Sequence, residues 1–403
     1  MRILVLIHEF PPIGGGGGRA AQDICRGLAA RGHEIRVLTA HLDGLPERDI
    51  QEGYEVIRLH SGRQQAFRAS FSVMAGYLLT ASWEGLRLVR TWRPDVIHVH
   101  FAVPAGPAAL LISRLSGIPY VLTVQLGDVP GGTPEKTDGW FRWIGPITPP
   151  IWKYAAAVVA VSEFTRKLAL KHYPVDIQII PNGVDSKTLD PGEIRLGSPP
   201  QIVFAGRFMT QKNPVQVVRT LANLRDLPWH CTMIGDGPLR GEVEREIAEQ
   251  GLQQRFSLPG WVKPGEVIDW FRRSDILFMP SRTEGLPLVG VQALATGLAI
   301  VAGRAGGFID LVEPDSNGCL FDPNSPEQAA PALRQLLTDP EKLKAQRESS
   351  RQIAGRFDLN HVVDLYEDCF LQLASNKKRR ILSRFPSVTG DENSRANEPV
   401  KQD

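Results

Sequence analysis

Short aliphatic runs alternate with segments of helical periodicity twice over in this chain, and that alternation restricts what it can fold into. RILVLI (2–7) reads as a buried strand, followed by a glycine loop and a helix over about 19–31 that Gly32 stops before the strand EIRVLTA (34–40). DVIHVH (95–100), YVLTVQ (120–125) and AAVVAVS (156–162) continue the series. It then restarts with QIVFAGR (201–207), HCTMIGDG (230–237), DILFMP (275–280) and LAIVAG (298–303). Near-continuous aliphatic strands separated by helices imply a parallel sheet covered on both faces, so two successive doubly wound α/β halves are expected. The polar stretch 181–200, rich in Pro, Gly and Asp, reads as the connection between them. After Asp358, LNHVVDLYEDCFLQLA has helical apolar spacing and is expected to pack across the domains. Residues 375–403 are polar and are expected to be disordered. Their basic cluster KKRRILSR (377–384) reads as a solvated tail or a contact for anionic lipid.

A chain of 403 residues exceeds one ordinary core and suits two domains. Its net charge of +2 supplies no global field for nucleic acid, so charge arguments are local. Cys25, Cys231, Cys319 and Cys369 are far apart and form no CxxC pair, which fits a reducing cytoplasm rather than a disulfide framework or zinc site. The N-terminal apolar run is too short for a signal-peptide core, and the longest apolar stretches fall short of the roughly 18–20 residues that span a bilayer. The 60–93 region mixes Arg, Trp and aliphatics at helical spacing; it reads as a partly buried helix with solvated arginines or as an acceptor- or membrane-facing one.

Three loops follow strands where ligands of doubly wound folds bind. PPIGGGGGRA (11–20) carries five consecutive glycines ahead of a helix, suited to close backbone approach by an anionic or sugar ligand, but it is not a GxGxxG fingerprint. FAGRFMTQKNP (204–214) places Arg207 and Lys212 together, two cations able to neutralise a leaving diphosphate. SRTEG (281–285) puts the carboxylate of Glu284 in a loop before a helix that Pro287 opens and Gly297 ends, with Gln292 further along it. MIGDGP (233–238) reads equally as a structural or a functional turn. His98 and His100 share one strand face without a third ligand, which argues against a metal; His100, nearer the strand end, is expected to line a cleft.

In this order and spacing the motifs, together with VAVSEFTRKLAL, IIPNGVD and AGGFIDLVEPDSNGCLF, resemble the retaining glycosyltransferases of family 4, the group 1 transferases of the GT-B fold, over roughly 1–370. The resemblance implies an N-terminal Rossmann-like acceptor domain (1–185, with a helix at 358–374 crossing back) and a C-terminal donor domain (186–357) facing it across a cleft. It implies a hexosyltransferase-type enzyme (EC 2.4) that moves a sugar with retention from a nucleotide-sugar to a glycan, lipid-linked or small-molecule acceptor, as in polysaccharide or glycolipid biosynthesis. No metal or other cofactor is implied, since the nucleotide-sugar is a co-substrate, and no nucleic-acid partner. Carried over by position, Arg207 and Lys212 hold the donor diphosphate and Glu284 the sugar hydroxyls. Gly285, Leu286, Pro287 and Leu288 touch sugar and phosphate, Val262 lies beside the base, and Gly15 and Gly16 reach the donor from the first domain. Two positions depart from the family: Gln292 replaces an acid that grips the ribose, and Gln125 replaces a histidine near the reacting sugar. Glutamine hydrogen-bonds but carries no proton, so a second expectation is a degenerate protein that binds nucleotide or glycan without turnover. Asp128 is expected either to touch a ligand or to cap its loop. The localisation implied is cytoplasmic, with peripheral contact at the inner membrane face.

Overall fold

The computed structural model describes residues 1–66, 69–133, 139, 141 and 143–384. The first sheet has eight strands: β1 (Arg2–Leu6), β2 (Glu34–Ala40), β3 (Arg48–Gln51), β4 (Tyr54–Leu59), β5 (Val96–His100), β6 (Tyr120–Val124), β7 (Ala157–Ala160) and β8 (Gln178–Ile179). Their order is β3-β4-β2-β1-β5-β6-β7-β8, parallel except for β3, which pairs antiparallel with β4. The second has six: β9 (Gln201–Ala205), β10 (His230–Ile234), β11 (Phe256–Gly260), β12 (Ile276–Met279), β13 (Ala299–Gly303) and β14 (Gly318–Phe321), in the order β11-β10-β9-β12-β13-β14. β1 and β9 are central because they are flanked on both sides and buried on both faces; Ile3 to Leu6 and Ile202 to Ala205 are all inside. β3, β8, β11 and β14 are not legible as strands in the sequence because they are short edge strands, β11 with Pro259 inside it, and β4 because Glu55 and Arg58 interrupt its apolar run.

The last helix, Leu359–Arg384, closes the first sheet rather than the second. Its Val362, Val363, Tyr366 and Phe370 share one core with Ile3 and Val5 of β1 and Ile24 of the helix Gly16–Ala30. The chain returns where two connections run side by side: Leu359 N–H donates to the Val184 carbonyl, and Val184 N–H to that of Phe357. The backbone stays helical to Arg384, past the start of the expected disordered tail, because its Lys and Arg residues are good helix formers. Residues 385–403 lie outside the described residues. Among the described residues no helix is long and apolar enough to cross a membrane.

A buried ion pair pins the second domain together. Arg347, on the helix Pro340–Ala354, reaches Asp275 at 2.5 Å, and both side chains are 2% exposed. Arg347 also donates to the carbonyls of Gly297 and Arg195, while Asp275 accepts from the Gly197 and Gln201 amides. Helix, interdomain connection and the starts of β9 and β12 thus share one network. Replacing Arg347 by Met leaves the Asp275 charge buried, and urea unfolding should show about 3–5 kcal/mol lost stability.

Candidate functional site

Five loops at the carboxyl ends of β1, β5, β6, β9 and β12 meet between the two sheets. The loop after β9 is built by the loop after β10: Gly206 N–H donates to the Ile234 carbonyl and Phe208 N–H to that of Asp236. A Cβ at Gly235 or Gly237 would strike the carbonyls of Gly206 and Phe208, so MIGDGP is a scaffold for the Arg207 loop. Arg207 leaves this frame half-buried, and the chain turns through left-handed Asn213 into the helix Pro214–Ala222.

Lys212 Nζ donates to Glu284 Oε1 at 2.5 Å, with side chains 18% and 6% exposed. The two loops are stitched together, since Arg282 N–H donates to the Gln211 carbonyl and Gln211 Nε2 to that of Thr283. Behind Glu284, Gly306 sits at φ +59° with no room for a Cβ against the Glu284 carbonyl, and Gly307 N–H donates to that same carbonyl. Pro287 lies just before the helix Leu288–Ala295 rather than inside it, and Gln292 is half-buried on that helix. Val262 follows β11 at the sheet edge and is half-buried against the second core.

The first domain approaches closely. A Cβ on Gly16 would lie 3.7 Å from Leu288 Cβ, and one on Gly285 would lie 3.4 Å from Leu126 Cβ. Asn182 Nδ2 donates to the Leu286 carbonyl, and Asp310 accepts the Glu163 amide, capping a first-domain helix from the second domain. The five glycines divide by role. Gly14 and Gly18 are packed against Glu9, Gly17 against Phe101 and Gln125, while a Cβ on Gly15 would meet nothing within 4 Å. Gly15 and Gly16 are therefore the pair that opens toward the gap between the domains. Gln125 is half-buried and faces Gly17.

Asp128 takes the loop-capping alternative, and His100, expected to line the cleft, lies in the core instead. Asp128 is buried: Oδ1 accepts from the Ala102 amide and Oδ2 from the Gln125 amide, both at 2.7 Å, so the carboxylate ties the β5 and β6 loops together. Burial pushes its carboxyl up to about 7, against the pull of those backbone donors. His100 is also buried, its two nitrogens without hydrogen-bond partners among the described residues. His98 reaches Thr123 Oγ1 at 2.9 Å, and among the described residues no cluster of three metal-ligating side chains occurs. Glu9, Phe101 and Leu126 were not singled out by the sequence. Glu9 accepts from the buried Arg63 at 3.2 Å, and its position just after β1 is the one signal that could have found it.

This arrangement of facing sheets and loops has counterparts. A family model described as Glycosyl transferases group 1 matches residues 186–353, and one described as Glycosyltransferase Family 4 matches 14–188. The chain belongs to the group 1 glycosyltransferases and has the GT-B fold. It is 28% identical to a 2-deoxystreptamine glucosyltransferase of Streptomyces kanamyceticus, over 84% of this chain and 94% of that one. It is 27% identical to a D-inositol 3-phosphate glycosyltransferase of Xylanimonas cellulosilytica, over 92% and 95%. Among solved structures, sucrose-phosphate synthase from Thermosynechococcus elongatus superposes with a TM-score of 0.81 at 18% identity, over 93% and 99% of the chains. Anabaena HepE in complex with UDP and glucose gives 0.73 at 18%, over 92% and 100%.

Three histidines are held neutral by burial: His8 is pushed down to about 4, His100 to about 3, and His98 well below its ordinary value. The unfolded chain takes up these protons below about pH 6.5 and the native protein does not, so their stabilisation is complete above that pH and lost as pH falls. Urea unfolding at pH 7 and pH 5 should show wild type losing stability, and His100→Phe losing about 1–2 kcal/mol less, at up to about 1.4 kcal/mol per pH unit for each histidine.

Proposed function

We propose that the protein transfers a hexosyl group from a nucleoside diphosphate sugar to a hydroxyl of a glycan, lipid-linked or small-molecule acceptor, with retention and without a metal. The observation that carries this is the Lys212–Glu284 pair at the mouth of the β9 and β12 loops, beside Arg207 and opposite open glycine backbone. An ammonium has three donors, of which Glu284 takes one, leaving others for a diphosphate oxygen. Arg207 supplies the second cation, and the start of the helix Leu288–Ala295 adds its positive end. With Oε1 on Lys212, Glu284 Oε2 accepts a hydroxyl of the donor sugar. Backbone groups of Gly285 to Leu288 and of Gly15 and Gly16 close around sugar and phosphate, Val262 lies by the base, and Gln292 holds the ribose by its amide.

The acceptor oxygen attacks the anomeric carbon on the face the diphosphate leaves. The bond from that carbon to phosphate oxygen breaks with its electron pair on the phosphate, and the acceptor proton passes to that phosphate oxygen. Cations and the helix end stabilise the charge that develops there, a role otherwise filled by a metal. Gln125 positions by hydrogen bonding and transfers no proton. Support comes from relatives whose names are glucosyl- and glycosyltransferases, and from HepE, solved with UDP and with UDP-glucose. Four free cysteines fit a reducing cytoplasm, and a lipid-linked acceptor would bring the enzyme to the inner membrane face.

The second reading, binding without turnover, is favoured by Gln125, which faces Gly17 and stands where the family resemblance implies a histidine. The purified protein, given UDP-, GDP- and ADP-sugars, should release nucleoside diphosphate from one of them with a glycan or lipid acceptor. Arg207→Ala should slow that release by about 100-fold or more, the scale of one lost charge-stabilising group. Release from none by wild type would favour the second reading, and full activity in Arg207→Ala would remove this residue from the site.

A further inference from the structure

Away from the donor loops, an open groove of about 460 Å³ lies between the helices Phe71–Thr91 and Ala105–Ser116. Met74 and Leu78 line it from the first helix, Leu111 from the second, and Ile147 from the turn beyond. Among the described lining residues Arg114 is the only one with a charged or hydrogen-bond-donating side chain. We infer that this groove seats the hydrocarbon chain of an anionic, phosphate-bearing lipid. It stands apart from the transfer reading and adds a lipid contact to it.

Three observations favour that occupant. A peptide or sugar laid in the groove would leave its polar groups unpaired against aliphatic walls, whereas a hydrocarbon chain has none to satisfy. The one charge on the lining is a cation: Arg114 stacks over the Tyr154 ring at 3.8 Å, and Lys153 approaches the same ring at 5.8 Å. Two cations at one side of an apolar trough complement a lipid phosphate beside its chain. Trp143, next to the groove-lining Ile144, is 83% exposed. An indole set this way suits the boundary between headgroups and hydrocarbon. The groove runs from Val103 and Pro104, just before the helix Ala105–Ser116, to Arg114 in its last turn. A lipid whose phosphate meets Arg114 thus has its head at the end of the groove away from the β5 loop.

The probe is vesicles of phosphatidylcholine with and without phosphatidylglycerol, the latter also with brominated chains. Wild type should co-sediment with the anionic vesicles, and brominated chains should quench its tryptophan fluorescence. Leu111→Glu and Arg114→Glu change exposed side chains and should each lower the partition coefficient at least tenfold. UDP, GDP or ADP should raise the melting temperature of both variants as it does for wild type, which keeps a failure of the groove distinct from a failure of the donor site. The inference is overturned if anionic vesicles do not bring wild type down, or if both variants bind them as wild type does. It is equally overturned if wild type is a dimer that these substitutions split, since the groove would then be covered by a second copy.

Discussion

Bringing an ammonium and a carboxylate to 2.5 Å in a nearly closed site costs several kcal/mol of desolvation for each ion, and their attraction offsets it only when surrounding contacts hold both in place. The Lys212–Glu284 pair has those contacts. Gln211 fastens the Lys212 loop to residues 282 and 283, the 234–238 turn supports Arg207 and Phe208 from below, and Gly306 and Gly307 press against the backbone of Glu284. These contacts fix the backbone on which both side chains stand. A ligand with its own negative charge near Lys212 then meets a cation already oriented, with no loop to order first.

The same economy governs how the two domains meet. Their contact uses small or backbone groups: Gly16 against Leu288, Gly285 against Leu126, the Leu286 carbonyl against Asn182, and Asp310 across to the Glu163 amide. Side chains of ordinary size at Gly16 and Gly285 would stand in the space the loops share. The crossover at Val184 and Asp358 lets the last helix return to the first sheet, so both chain ends stabilise the domain opposite the donor loops.

Much of this was legible in the sequence because it depends on local pattern. Buried parallel strands read as aliphatic runs, and loops after them fall at the carboxyl edge whatever their partners, so β1, β9 and β12 and the residues Arg207, Lys212 and Glu284 were all in view. What was not legible depends on tertiary placement. Asp128 looks like a loop acid until the Ala102 and Gln125 amides are seen to occupy both its oxygens. His100 looks like a strand-end residue until its cover is seen. Five identical glycines carry no sign of which are packed and which are open; that division exists only once Glu9, Phe101 and Leu288 are positioned around them. Short edge strands such as β3 and β8 borrow their stability from neighbours, so their own residues say little.

Thermal unfolding of the purified protein against UDP, GDP and ADP tests the donor pocket most directly. The account predicts that one nucleotide, at about 100 times its dissociation constant, stabilises the protein by about 2.7 kcal/mol and raises its melting temperature. It also predicts that Lys212→Met, which removes the oriented cation, loses that response. No shift with any of the three, or a shift undiminished in Lys212→Met, would contradict the claim that this ion pair is the anchor of a nucleotide-sugar site.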